Sequence, residues 1–311
     1  LFGATWSLDS GAGPDDFCVF VTDQGEVAVY QGTDPSSVST WGLVGVYSIG
    51  TPVDKHGWFK AGGDLALLTY DGIVSASEVL RKDRAALQGT AITQPIEAEW
   101  TRLAPGASAA QPVTATLWPK SKMLLCGMPK ATAGSNVALV ANSQTGAWCR
   151  YTGWDVRCSA VYGDDLYFGS LDGKIYKAET GGDDAGAPFT AVCIPKFQES
   201  GPQKKFLTRA HYIARASTMP VVGVTGLSDY RVKNIAAPQT TPVVAPSVWG
   251  VGVWGTFTWG GDIPNVYSEW KRVNGAGFSV SAAFSVTSFD SSACGIEFVS
   301  FKLRYENGTI M

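Results

Sequence analysis

Hydrophobic and polar positions alternate in short runs along most of this 311-residue chain. Cys18-Val19-Phe20-Val21-Thr22 and Glu26-Val27-Ala28-Val29-Tyr30 flank Asp23-Gln24-Gly25. That pattern predicts a β-hairpin whose turn uses Gly25 at positive φ. Further strands fit Trp41 to Ile49, Leu65 to Thr69, Val137 to Ala141, Leu166 to Gly169 and Lys174 to Lys177. Near the end, Phe278, Val280, Ala282, Phe284 and Val286 alternate, then Ile296, Phe298, Phe301, Leu303 and Tyr305, which predicts strands of one sheet. Helical spacing is confined to 76–103. Ala76 to Gln88 predicts one helix, capped by Ser77 and stopped by Gly89. Pro95 to Leu103 predicts a second, with Ile96, Trp100 and Leu103 on one face. Both are expected to stand off the sheets as a docking element, with a lid as the alternative, and with Trp100 at a subunit or domain contact.

An internal repeat sharpens this picture. Gly62-Gly63-Asp64-Leu65 through Asp71-Gly72-Ile73-Val74 aligns without a gap on Gly163-Asp164-Asp165-Leu166 through Asp172-Gly173-Lys174-Ile175. Weaker echoes run from Phe20 to Val27 and from Leu139 to Trp148. Each copy is a strand, a turn and a second strand, which reads as the inner hairpin of a β-propeller blade, with a generic β-meander in a sandwich as the alternative. The expected blade turns are Asp23 with Gly25, Asp71 with Gly72, and Asp172 with Gly173, with Asp71 and Asp172 accepting from their own backbone two residues on. From Pro238 the chain turns Pro- and Thr-rich, which places a boundary between a propeller over 1–237 and a β domain over 238–311. That second domain opens with Trp249, Trp254 and Trp259, one Trp every five residues among glycines, a candidate subunit or domain contact. The predicted fold is therefore all-β: a β-propeller with a small helical insertion and a C-terminal β-sheet platform.

Composition narrows the chemistry. Charged residues make up 16% of the chain, against about 25% in an ordinary globular domain. With a net charge of −3, the chain lacks the basic excess of a protein that grips phosphate. Arg81-Lys82 with Arg84, Lys204-Lys205 and Lys271-Arg272 read as solvated faces. The six cysteines, none in CxxC spacing, read as small buried residues, with a Cys149–Cys158 bridge as the alternative. His56 and His211 are isolated, and no nucleophile, phosphate-loop or metal-ligand motif is present. No enzyme, cofactor or metal is expected. The longest aliphatic run, Val137 to Ala141, is five residues, where a membrane helix needs about 20. The opening Leu1-Phe2-Gly3-Ala4 shows no secretory signal.

Three segments together resemble a known family. They are Phe20 to Ser36 with Trp41 to Gly50; Gly62-Gly63-Asp64-Leu65 with Thr69, Asp71 and Gly72; and Trp249 to Gly261 with Trp270, Gly275-Ala276-Gly277 and Tyr305 to Gly308. The chain resembles the β-propeller nozzle or tail tubular proteins of short-tailed bacteriophages and their head-to-tail DNA-stabilisation relatives. The resemblance covers about 18–80 and 136–311. It implies a non-enzymatic virion protein, assembled in the host cytoplasm into a tail ring, a hexamer in that family. Its partners would be connector and other tail proteins, with genomic DNA passing through and retained in its channel. No catalytic residue comes with it. The competing expectation is a glycan- or receptor-binding propeller module. Quinone-dependent dehydrogenase and sialidase readings fail on too few blades and on an incomplete Asp-box at Ser170-Leu171-Asp172-Gly173.

Overall fold

The computed structural model describes residues 1–9, 14–130, 136–199, 201–216, 218–233, 235–240, 265–289 and 295–308. Strands take 55% and helices 9%, so the protein is all-β, and among the described residues its small antiparallel sheets close into neither a barrel nor a propeller. The chain divides into two compact units, Leu1–Ala178 and Glu179–Met311.

Unit 1 consists of four consecutive antiparallel meanders. Sheet A holds β1 (Phe2–Asp9), β2 (Pro14–Val21), β3 (Glu26–Gly32) and β4 (Trp41–Ser48). Sheet B holds β5 (Trp58–Ala61), β6 (Asp64–Thr69) and β7 (Gly72–Ser75). Sheet C holds β8 (Thr114–Trp118), β9 (Met123–Met128), β10 (Val137–Asn142) and β11 (Trp148–Thr152), and sheet D holds β12 (Cys158–Tyr162), β13 (Asp165–Gly169) and β14 (Ile175–Lys177). Each predicted strand of this region is present, shifted by a few residues at most.

Period-2 alternation explains how the sheets stack. On β6, Leu65 and Leu67 pack with Val19, Val21, Val27 and Val29 of sheet A. The intervening Ala66 and Leu68 pack with Leu124, Cys126, Leu139 and Ala141 of sheet C. The other face of sheet C gives Met123, Leu125, Ala138 and Val140 to a core shared with Leu166 and Phe168 of sheet D. Sheets B and C are thus covered on both faces, which is why β6, β9 and β10 read as near-continuous apolar runs. The leading strands also neighbour one another. Lys60 Nζ on β5 donates to Thr5 Oγ1 on β1 at 3.4 Å, β5 lies beside β8, and Thr116 Oγ1 on β8 meets Ser159 Oγ on β12 at 2.7 Å.

The helical segment differs from expectation. It forms α1 (Ala76–Val79), α2 (Arg84–Leu87) and α3 (Glu97–Leu103) rather than two longer helices. Asp83 stands extended before α2, the position its short polar side chain favours over a helix interior. Ser77 makes no cap; Ser75, itself without a capping bond, precedes α1, and both serine hydroxyls bond Asp64. Far from standing off the sheets, the segment fills the gaps between them. Val79, Leu87 and Ala91 enter the A–B core, and Trp100, Leu103 and Ala104 the B–C core.

Unit 2 begins at Glu179, well before the expected boundary after 237, because strand pairing overrides the composition shift. β15 (Phe189–Cys193), β16 (Gln198–Glu199) and β18 (Val222–Ser228) all pair with β20 (Ser279–Ser288). β17 (Lys205–Ala216) is the centre of a second sheet, between β19 (Asn265–Gly277) and β21 (Ile296–Asn307). The closing stretch is therefore two facing sheets and not one. Val280, Ala282, Phe284 and Val286 of β20 pack on Ala210, Tyr212 and Ala214 of β17. The opposite side of β20 is also buried: there Ser281 donates to the Pro195 carbonyl and Thr287 meets the Thr190 hydroxyl, while Ser279 Oγ has no partner among the described residues.

Candidate functional site

The sequence-predicted contact residues separate. Trp249, Trp254 and Trp259 lie outside the described residues. Trp100 is 0% exposed, and its Nε1 donates to the Thr69 carbonyl at 2.9 Å. It has no surface left to offer a second copy; its role is to lock α3 onto β6.

The turn residues fall where the repeat places them, with one difference in chemistry. Gly25, Gly72 and Gly173 take φ of +85°, +135° and +78°. A Cβ on Gly25 would stand 2.6 Å from the Ile49 carbonyl oxygen, so glycine is required there by space as well as φ. Asp172 accepts from the Lys174 amide at 3.1 Å, the expected bond two residues on, and from the Tyr176 hydroxyl at 2.7 Å. The Tyr176 bond is the larger reason its carboxyl is held below the usual range. Asp71 instead receives Arg84 Nη2 at 3.0 Å, tying the turn to α2. Asp23 sits exposed in the β2–β3 turn.

Two of the three basic clusters are not the solvated faces expected. Lys205 is 0% exposed, with Nζ donating to the Phe278 carbonyl at 2.6 Å. Lys271 and Arg272 point to opposite sides of their sheet, as neighbours on a strand must. The cysteines also depart from expectation. Cys126 is buried, with its thiol pushed up to about 12 by burial, whereas Cys149, Cys158 and Cys193 are exposed. Cys158 carries a free thiol, so the Cys149 bridge is not formed.

What the structure brings together is a pair of uncovered sheet faces at the two ends of unit 1. On sheet A, Gly3, Phe20, Ala28 and Val46 form one cross-strand row, and Thr5, Cys18, Tyr30 and Leu43 the next. Phe20, Leu43 and Val46 are 49%, 52% and 58% exposed. Tyr30 stacks on Trp41 with ring centroids 5.8 Å apart and meets Phe20 edge-on. On sheet D the outward rows are Cys158, Gly169 and Ile175, then Ala160, Tyr167 and Lys177. Ile175 is 79% exposed, and Lys177 pairs with Asp165. The signal for the first face was visible: Val27-Ala28-Val29-Tyr30 is apolar at both parities, which a strand with one wet face does not need.

No protein-family model matches the chain, and no curated protein matches it. Among the described residues, no three His, Cys, Asp or Glu side chains gather as a metal site, and no helix is long and apolar enough to cross a membrane. The chemistry offered by the uncovered faces is apolar association.

Proposed function

We propose that the protein is a structural component of a short phage tail, a β-propeller-type ring protein that conducts and retains the genome and meets connector and other tail proteins. The observation that carries this reading is the order of unit 1. Four meanders follow one another, packed face to face with their leading strands side by side. That is how blades succeed each other around a propeller axis. Four blades that do not close leave one face free at each end, and these are the faces of sheets A and D. The two faces differ, so joining them between copies is a heterologous contact, and a heterologous contact whose rotation closes makes a ring. In this reading unit 2 supplies the platform.

The test is assembly. Purified protein imaged by electron microscopy and weighed by light scattering should show closed rings. Phe20→Asp and Ile175→Asp should each abolish them. Mixing the two variants should then give only dimers, because one partner keeps an intact sheet D face and the other an intact sheet A face. A parent that stays monomeric at high concentration, or variants that assemble normally, would refute the proposal.

A further inference from the structure

The net charge of −3 conceals a local arrangement that only strand register creates. On the sheet β19-β17-β21, Arg209 lies directly opposite Arg272 on one side and Arg304 on the other. Directly opposed residues share a face. The next row on that face is His211 between Trp270 and Lys302. It is the face turned away from the core, since Ala210 and Leu303 form the intervening row and are packed inside. Four cations drawn from three distant stretches of sequence thus occupy two adjacent rows. All four are exposed, and none forms an ion pair among the described residues. Farther along the face, Arg215 pairs with Glu297 at 3.4 Å, so neutralisation is available in this sheet but not used at the arginine row. Glu306 lies two residues beyond Arg304, in the row of Phe206, without pairing to it.

This arrangement works against folding. Like charges directly opposite one another destabilise a sheet. Beneath the same patch, His211 is 6% exposed, with Nε2 bonded to Ser268 Oγ at 2.8 Å and Nδ1 buried without a partner among the described residues. A buried nitrogen left unpaired is a further cost. Local features that oppose folding and concentrate in one place are characteristic of a binding site. An aromatic completes it. Trp270 stands 47% exposed on edge strand β19, two residues from Arg272, its ring 4.7 Å from that of His211.

We propose that the outer face of the β19-β17-β21 sheet is a platform for single-stranded nucleic acid, with Arg209, Arg272, Arg304 and Lys302 meeting phosphates and Trp270 stacking on a base. Guanidinium groups match phosphate geometry, and an aromatic flush with cations is the arrangement that holds unpaired strands. A duplex keeps its bases stacked inside and would leave Trp270 idle. The proposal stands independently of the tail reading, because it uses only unit 2.

The experiment is fluorescence anisotropy of the full chain with a labelled oligothymidine, a duplex of equal length and anionic phospholipid vesicles as separate arms. Binding of the single strand should weaken with salt, with a logarithmic slope of about −3 for four phosphate contacts. Arg272→Gln and Arg304→Gln should each reduce that slope by about 0.7, while thermal unfolding stays level or rises as the opposed charges are relieved. Trp270→Ala should weaken binding roughly 5- to 100-fold at unchanged slope. Lys302→Gln, on an edge strand, repeats the slope test should an arginine variant fold poorly. Duplex or vesicles binding as tightly as the single strand, or an indifferent Trp270→Ala, would overturn the proposal, as would absence of binding at low salt.

Discussion

Replacing Trp100 by Ala distinguishes a core role from a contact role. The indole is fully buried between sheets B and C, packed with Leu68, Ile73, Leu103 and Leu139 in one cluster. An indole buries roughly 150–250 Å², and truncation of a buried Trp to Ala costs about 3–5 kcal/mol. In a unit spanning Leu1–Ala178, each kcal/mol lowers the melting temperature by about 2–4 °C. The expected drop is therefore on the order of 6–20 °C in the transition of unit 1. Trp100→Phe keeps most of the volume but deletes the bond to the Thr69 carbonyl, and should cost about 1 kcal/mol beyond its packing loss. Calorimetry on the full chain reads both variants, with the unit 2 transition as an internal control. A shift under about 3 °C in Trp100→Ala would refute the core assignment and return this residue to the surface contact that its sequence context suggests.

Three further outcomes are expected. Gly25→Ala meets the Ile49 carbonyl at 2.6 Å and should cost about 1–3 kcal/mol, whereas Gly173→Ala, with nothing within 4 Å, bears only the left-handed backbone penalty of roughly 1 kcal/mol; equal losses by chemical denaturation would contradict the geometry. Cys126, whose ordinary value is 9.0 and which burial raises to about 12, gives stability that is complete below pH 9 and declines as pH rises toward 12. Alkylation at pH 8 should accordingly modify Cys158 and spare Cys126 until the protein unfolds, and prompt labelling of Cys126 would count against its burial. Glu99 is held below the usual carboxylate range, first by its bond from Arg102, so its stabilisation is present above the unfolded value of 4.5 and fades as pH falls through the folded one. Glu99→Gln should be less stable than the parent near neutrality, by under about 1 kcal/mol for so exposed a pair, and indistinguishable from it in strong acid.

The sequence by itself determined the hairpin repeat of unit 1 and the strands around its turns, but not β1, β5, β8, β9 or β12. Alternation of side chains and turn glycines act over a few residues, so Val27-Ala28-Val29-Tyr30 is a strand and Gly25 a turn wherever the sheet is placed. That 76–103 is helical was equally local, but neither its division into three short helices nor its destination was. The spacing of Ile96, Trp100 and Leu103 specifies an apolar helix face and says nothing about whether a sheet or another subunit covers it. Tertiary structure placed it between sheets B and C. The boundary between units was hidden for the same reason: the Pro- and Thr-rich stretch after 237 looks like a linker, yet β17 before it pairs with β19 and β21 after it. Register decided the rest. Arg209, Arg272 and Arg304 are separated by 63 and 32 residues and unremarkable in composition, and they meet because antiparallel pairing across β17 aligns them. Charge is a property of residues, but a charged surface is a property of pairing, and pairing over such separations is fixed only when the cores on the opposite faces close.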